Sequence, residues 1–78
     1  MEKIDILAVA GVAIHGVQWQ RALAADLGVN ERTLRRWVAR DVDVPAGVWR
    51  EIIALLEKQR EKITDAAALI ERAGLADH

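Results

Sequence analysis

Four arginines stand within nine residues near the middle of the chain: Arg32, Arg35, Arg36 and Arg40. A guanidinium group keeps its positive charge and presents a planar fork of N–H donors. That fork fits the oxygens of a phosphate or the O6 and N7 atoms of guanine. Residues four apart share one face of a helix, so Arg32 and Arg36 would point the same way. The spacing predicts a cationic surface that binds anions, or else an ordinary solvated helix face.

Charge is distributed unevenly along the chain, although the net charge is only −1. Residues 18–40 hold five arginines against Asp26 and Glu31, which gives +3, whereas residues 41–78 hold five basic and eight acidic residues, which gives −3. This separation favours one anion-binding segment within an otherwise acidic chain.

Helical periodicity predicts an all-α fold, a four- to five-helix bundle in a single domain over residues 1–78. We expect a first helix over about residues 4–15, ended by Gly16 as a left-handed cap. Two short helices follow over about 18–39, with Gly28 at the turn and Asn30 as N-cap. Pro45 lies near the start of a long helical pattern over about 45–73, with Gly74 as its stop. A break near Thr64 and Asp65 is the alternative for this last element.

Small size limits how this chain can be stabilised. A chain of 78 residues without cysteine has no disulfides and a thin core, so association with a second copy is the expected stabiliser. His15 and His78 are far apart in sequence, and we expect no metal and no cofactor. The nonpolar run of residues 6–14 is too short to span a bilayer, and a positively charged leader is lacking, which predicts a cytoplasmic protein without membrane contact.

The segment from Gln20 to Trp37 has the pattern Q-x-x-L-A-x-x-L-G-V-N-x-x-T-L-x-x-W. This pattern resembles the helix-turn-helix of phage-repressor-like regulators of the Cro/CI or XRE type. The Gln20-Arg21 start and Arg32 are also similar to small autorepressors associated with anti-CRISPR genes. The resemblance implies a sequence-specific DNA-binding regulator, most simply a homodimeric repressor of its own operon, with double-stranded DNA and a second copy as partners and no small-molecule ligand.

The resemblance also implies roles for individual residues. The second helix of the motif would enter the major groove. The residues expected to contact bases are Glu31, Arg32, Arg35 and Arg36, where Glu31 would accept from cytosine or orient an arginine. The residues expected to contact phosphate are Trp19, Gln20, Arg21, Asn30, Thr33 and Arg40.

Apolar residues recur at spacings of three and four along the last helix, as in a heptad seam. The seam predicts a dimer interface, whose expected residues are Ile52, Leu56, Gln59, Ile63, Ala66 and Ile70. The same seam could instead pack on the core of its own domain.

Two other classes of function compete with DNA binding. A protein-interaction module, such as an antitoxin that neutralises a partner, would use the acidic C-terminal half, because fold alone does not fix function. An enzyme is disfavoured, because the chain has no Ser, Cys or Tyr and no acid–base or metal constellation.

Overall fold

The computed structural model describes residues 5–76, which form four helices and no strands. The helices are α1 (Ile6–His15), α2 (Trp19–Leu27), α3 (Glu31–Val38) and α4 (Ala46–Arg72). The prediction of a small all-α bundle is confirmed. Ile4 and His78, which the sequence analysis considered, lie outside the described residues. Within residues 5–76 no helix is long and apolar enough to cross a membrane.

Local capping signals determine where the first helices begin and end. The Asp5 carboxylate accepts from the N–H of Ala8 and opens α1. Gly16 ends α1 with φ +85° and ψ −161°, so it has the positive φ expected of it but lies outside the left-handed helical region. Gly28 ends α2 with φ +70° and ψ +27°, which is the left-handed cap that the sequence predicted.

The core joins all four helices around a few fully buried side chains. Leu23 and Leu34 are completely buried, and the small Ala24 lets α2 and α3 approach each other. α4 packs across α1 and α2 and contributes Ile52 to this core. The buried hydrophobic residues are Leu7, Ala10, Trp19, Leu23, Ala24, Leu34, Trp37 and Ile52. No polar side chain among residues 5–76 is buried with them.

Trp19 lies at the first turn of α2 with its indole ring against the backbone of Gly11 in α1. A Cβ atom added at Gly11 would overlap the ring itself, at Cγ, Cδ2 and Cε3. This contact fixes the distance between α1 and α2.

α4 is one continuous helix of 27 residues, so the predicted alternative of a break near Thr64 does not occur. At 1.5 Å per residue it is about 40 Å long. It gives the protein an elongated shape of 52 × 31 × 21 Å. Pro45 stands just before the first helical residue rather than within the first turn. The helix therefore extends well past the core formed by the other three.

The Gly11→Ala variant is expected to lose roughly 1–3 kcal/mol of stability, because overpacking against Trp19 outweighs the gain in helix propensity. Thermal or urea unfolding measures this change. Gly47→Ala is the matched control, because a Cβ atom at Gly47 meets nothing within 4 Å. The packing argument fails if both variants unfold at the same denaturant concentration.

Candidate nucleic-acid interface

The turn between α2 and α3 is built from main-chain hydrogen bonds and one side-chain cap. The N–H of Val29 donates to the carbonyl of Ala24, and the N–H of Gly28 donates to that of Ala25. The side chain of Asn30 accepts from the N–H of Thr33 at 2.8 Å, which opens α3 as the sequence predicted. Together these bonds fix the direction in which α3 leaves α2.

One face of α3 is apolar and the opposite face carries arginine. Leu34 and Trp37 are buried, so the other side of this short helix faces outward. At about 100° per residue, Arg32 and Arg36 lie on the side opposite Leu34, within about 40° of each other. Both are exposed. They form the centre of what we call the arginine surface, defined by Arg21, Arg32, Arg35 and Arg36.

Glu31 organises the edge of this surface. Its Oε1 atom lies 3.8 Å from Nε of Arg21, and its Oε2 atom lies 3.6 Å from Nη1 of Arg35. Of its two expected roles, orienting a neighbouring arginine is the one that this geometry favours. The pair with Arg35 is an ordinary i, i+4 pair, whereas the pair with Arg21 spans the turn. All three side chains are well exposed, so each pair contributes at most about 1 kcal/mol to stability.

Arg40 adopts a left-handed conformation, with φ +65°. The N–H of Arg40 donates to the carbonyl of Trp37, and the N–H of Asp41 donates to that of Arg36, so Arg40 ends α3 in a position that usually holds glycine. Such a conformation costs energy in a residue other than glycine. This left-handed conformation was not predicted from the sequence.

The other expected phosphate contacts divide between surface and core. Gln20 and Thr33 are half-buried near the two helix starts, and Asn30 is exposed while it caps α3. Trp19, by contrast, is only 5% exposed and packs in the core. The expectation for Trp19 is corrected, because its ring is occupied by Gly11 and leaves little surface for a phosphate.

The side-chain partner of His15 was not predicted. His15, at the end of α1, has its Nε2 atom 2.5 Å from Oδ2 of Asp26, so the one acidic residue of α2 is paired on the α1 side. No group of three metal-binding side chains occurs within the described part of the chain. The polar side chains around the start of α3 are the guanidinium groups of the arginine surface, the amide of Asn30 and the carboxylate of Glu31.

Comparison of the chain with protein-family models, with curated proteins and with solved structures finds no match.

The Asn30→Ala variant is expected to lose about 1 kcal/mol of stability, because the N–H of Thr33 loses its acceptor. Chemical unfolding measures the loss. Asn30→Asp, which keeps an acceptor at the same position, should retain the stability of the parent chain. Equal losses in the two variants would contradict the capping role.

Proposed function

We propose that this protein is a sequence-specific DNA-binding regulator that places α3 in the major groove. The observation that carries the proposal is the pair of exposed arginines, Arg32 and Arg36, on the face of α3 opposite the buried Leu34. A major groove about 12 Å wide admits a single helix, and a guanidinium group matches guanine there. Base contacts by these two arginines would select the sequence.

The surrounding groups would position the protein on the duplex. Arg21 has an 89% exposed side chain at the start of α2, from which it can reach a phosphate. Gln20 and Arg40 stand at the ends of the two helices. Phosphate contacts set orientation and salt dependence rather than sequence choice. While Arg35 stays paired with Glu31, we assign it to the residues that contact phosphate. If DNA displaces Glu31 from this pair, Arg35 would contact a base instead.

Regulation in this proposal follows from concentration and operator affinity. Two copies would meet an inverted repeat with half-sites about one turn of DNA, roughly 34 Å, apart. A protein of this kind binding over a promoter acts as a repressor, and binding over its own promoter makes it an autorepressor.

A second candidate function rests on the exposed apolar residues of α4, including Ile63 and Leu69. An interaction module such as an antitoxin would cover them with a different protein. This candidate requires no role for the arginine surface, so substitutions there separate the two.

The double variant Arg32→Ala/Arg36→Ala is expected to bind mixed-sequence duplex DNA roughly 30-fold more weakly at low salt. This corresponds to two charged contacts of on the order of 1 kcal/mol each. Fluorescence anisotropy measures the affinity. The control, Arg50→Ala/Arg72→Ala, removes the same charge from exposed positions of α4. If both double variants lose affinity equally, α3 is not the contact surface and the proposal fails.

The Glu31→Gln variant is expected to bind the same DNA about two- to fivefold more tightly. The substitution removes a negative charge that would face the DNA phosphates, and it frees Arg21 and Arg35 from their ion pairs. We expect the binding free energy to improve by about 0.5–1 kcal/mol. Glu51→Gln, on α4, is the charge-matched control and should change little. Weaker binding by the Glu31 variant would assign Glu31 a direct contact with a base instead.

A further inference from the structure

One apolar stripe runs along the whole of α4, but the domain covers only its first half. Ile52 is 2% exposed, Leu56 and Gln59 are half-buried, and Ile63 is 61% exposed. These residues follow each other at spacings of three and four, so they share one face. The prediction that Ile52 belongs to a dimer interface is therefore corrected, because Ile52 is occupied by the core of its own chain.

The uncovered part of the stripe is what we call the distal stripe. Its residues are Ile63, Ala66, Leu69, Ile70 and Ala73. All of them are exposed, and three are large aliphatic side chains. A helical segment of about 14 residues with no packing partner is marginal in water. The same spacing of apolar residues that packs the first half of α4 on the core thus continues into its second half, where no other helix of this chain covers it.

We infer that the distal stripe pairs with the same stripe of a second copy, in antiparallel orientation. This inference names the partner that the proposed regulator needs to reach two half-sites.

Charges beside the stripe favour this occupant and this direction. Arg60 and Glu71 flank the stripe on the same side, about 20° apart around the helix and at its opposite ends. Antiparallel pairing therefore brings Arg60 of each copy beside Glu71 of the other. Lys62 lies between Ala73 and Leu69 around the helix, at the other edge of the stripe, so parallel pairing would instead bring Arg60 toward Lys62 of the second copy. Charges at such positions mainly set orientation rather than affinity.

The arrangement also gives a spacing. Aligning Arg60 with Glu71 of the other copy puts the two-fold axis between Asp65 and Ala66. The two Ile52 levels, where α4 enters each core, then lie about 40 Å apart along the helix axes. This is close to the roughly 34 Å between major-groove half-sites on one face of DNA. The bodies of the two copies would stand at opposite ends of the paired helices.

Sedimentation equilibrium of the full chain without DNA tests the pairing. The parent should have twice the mass of one chain, and Ile63→Glu should weaken association by about 100-fold or more, because a carboxylate is buried without a partner. Ile53→Glu is the matched control: it changes the same residue type on the same helix at 56% exposure, outside the distal stripe. A monomeric parent, or equal weakening by both variants, would overturn the inference.

Engineered cysteines test the direction, since the chain has none of its own. In the antiparallel pair the two Ala66 residues face each other near the axis, whereas the two Ala73 residues lie about 22 Å apart, beyond reach of a disulfide. Oxidised Ala66→Cys should form a covalent dimer and Ala73→Cys should not. Efficient cross-linking of both would mean parallel pairing and overturn the proposed geometry.

The two proposals fail separately. Mass and cross-linking are measured without DNA. If the parent chain is a monomer, yet Arg32→Ala/Arg36→Ala still weakens DNA binding, the dimer proposal fails and the DNA-binding proposal stands. If the parent chain is a dimer whose DNA affinity does not change in the double arginine variant, the DNA-binding proposal fails and the dimer proposal stands. A monomer that exposes the distal stripe is the outcome expected if a different protein covers it.

Discussion

The indole ring of Trp19 rests on the bare backbone of Gly11, and the position of α2 depends on that contact. α2 in turn fixes α3, because the two share a three-residue turn and the buried pair Leu23 and Leu34. Gly11 lies within a helix, where glycine costs up to about 1 kcal/mol relative to alanine. The packing of the Trp19 ring against Gly11 offsets that cost. The orientation of the arginine surface therefore depends on a glycine that has no side chain of its own.

Burial and charge divide the protein into two working parts. The first three helices bury their apolar residues against one another and leave guanidinium groups on the outside of α3. α4 begins in that core and extends beyond it with an exposed apolar stripe. Its five basic and five acidic side chains balance, and the excess of acid in residues 41–78 comes from Asp41, Asp43 and Asp77. Glu31 is the carboxylate that pairs within the arginine surface. Its pairing with Arg21 and Arg35 restrains both when nothing else is bound.

The turn between α2 and α3 could be predicted because its signals are local. The long-range packing of α4 could not be predicted in the same way. Gly28 and Asn30 act on their own neighbours, so their roles could be predicted from the sequence. Ile52 and Ile63 lie on the same face of α4, and only the location of the other helices decides that one is buried and the other exposed. The contact between Glu31 and Arg21 crosses the turn and has no sequence spacing to identify it. The left-handed Arg40 stands at a position that glycine usually occupies, and nothing in the neighbouring sequence marks it.

The central claim is that α3 reads DNA sequence, and selection from a random duplex library by the full chain tests it most directly. The account predicts enrichment of an inverted repeat with guanine in each half-site, matching Arg32 and Arg36, and with half-site centres about one helical turn apart. The folded parent chain should recover this sequence, and the double arginine variant should lose it. No enrichment by a folded parent chain, or the same enrichment by the variant, would contradict the account.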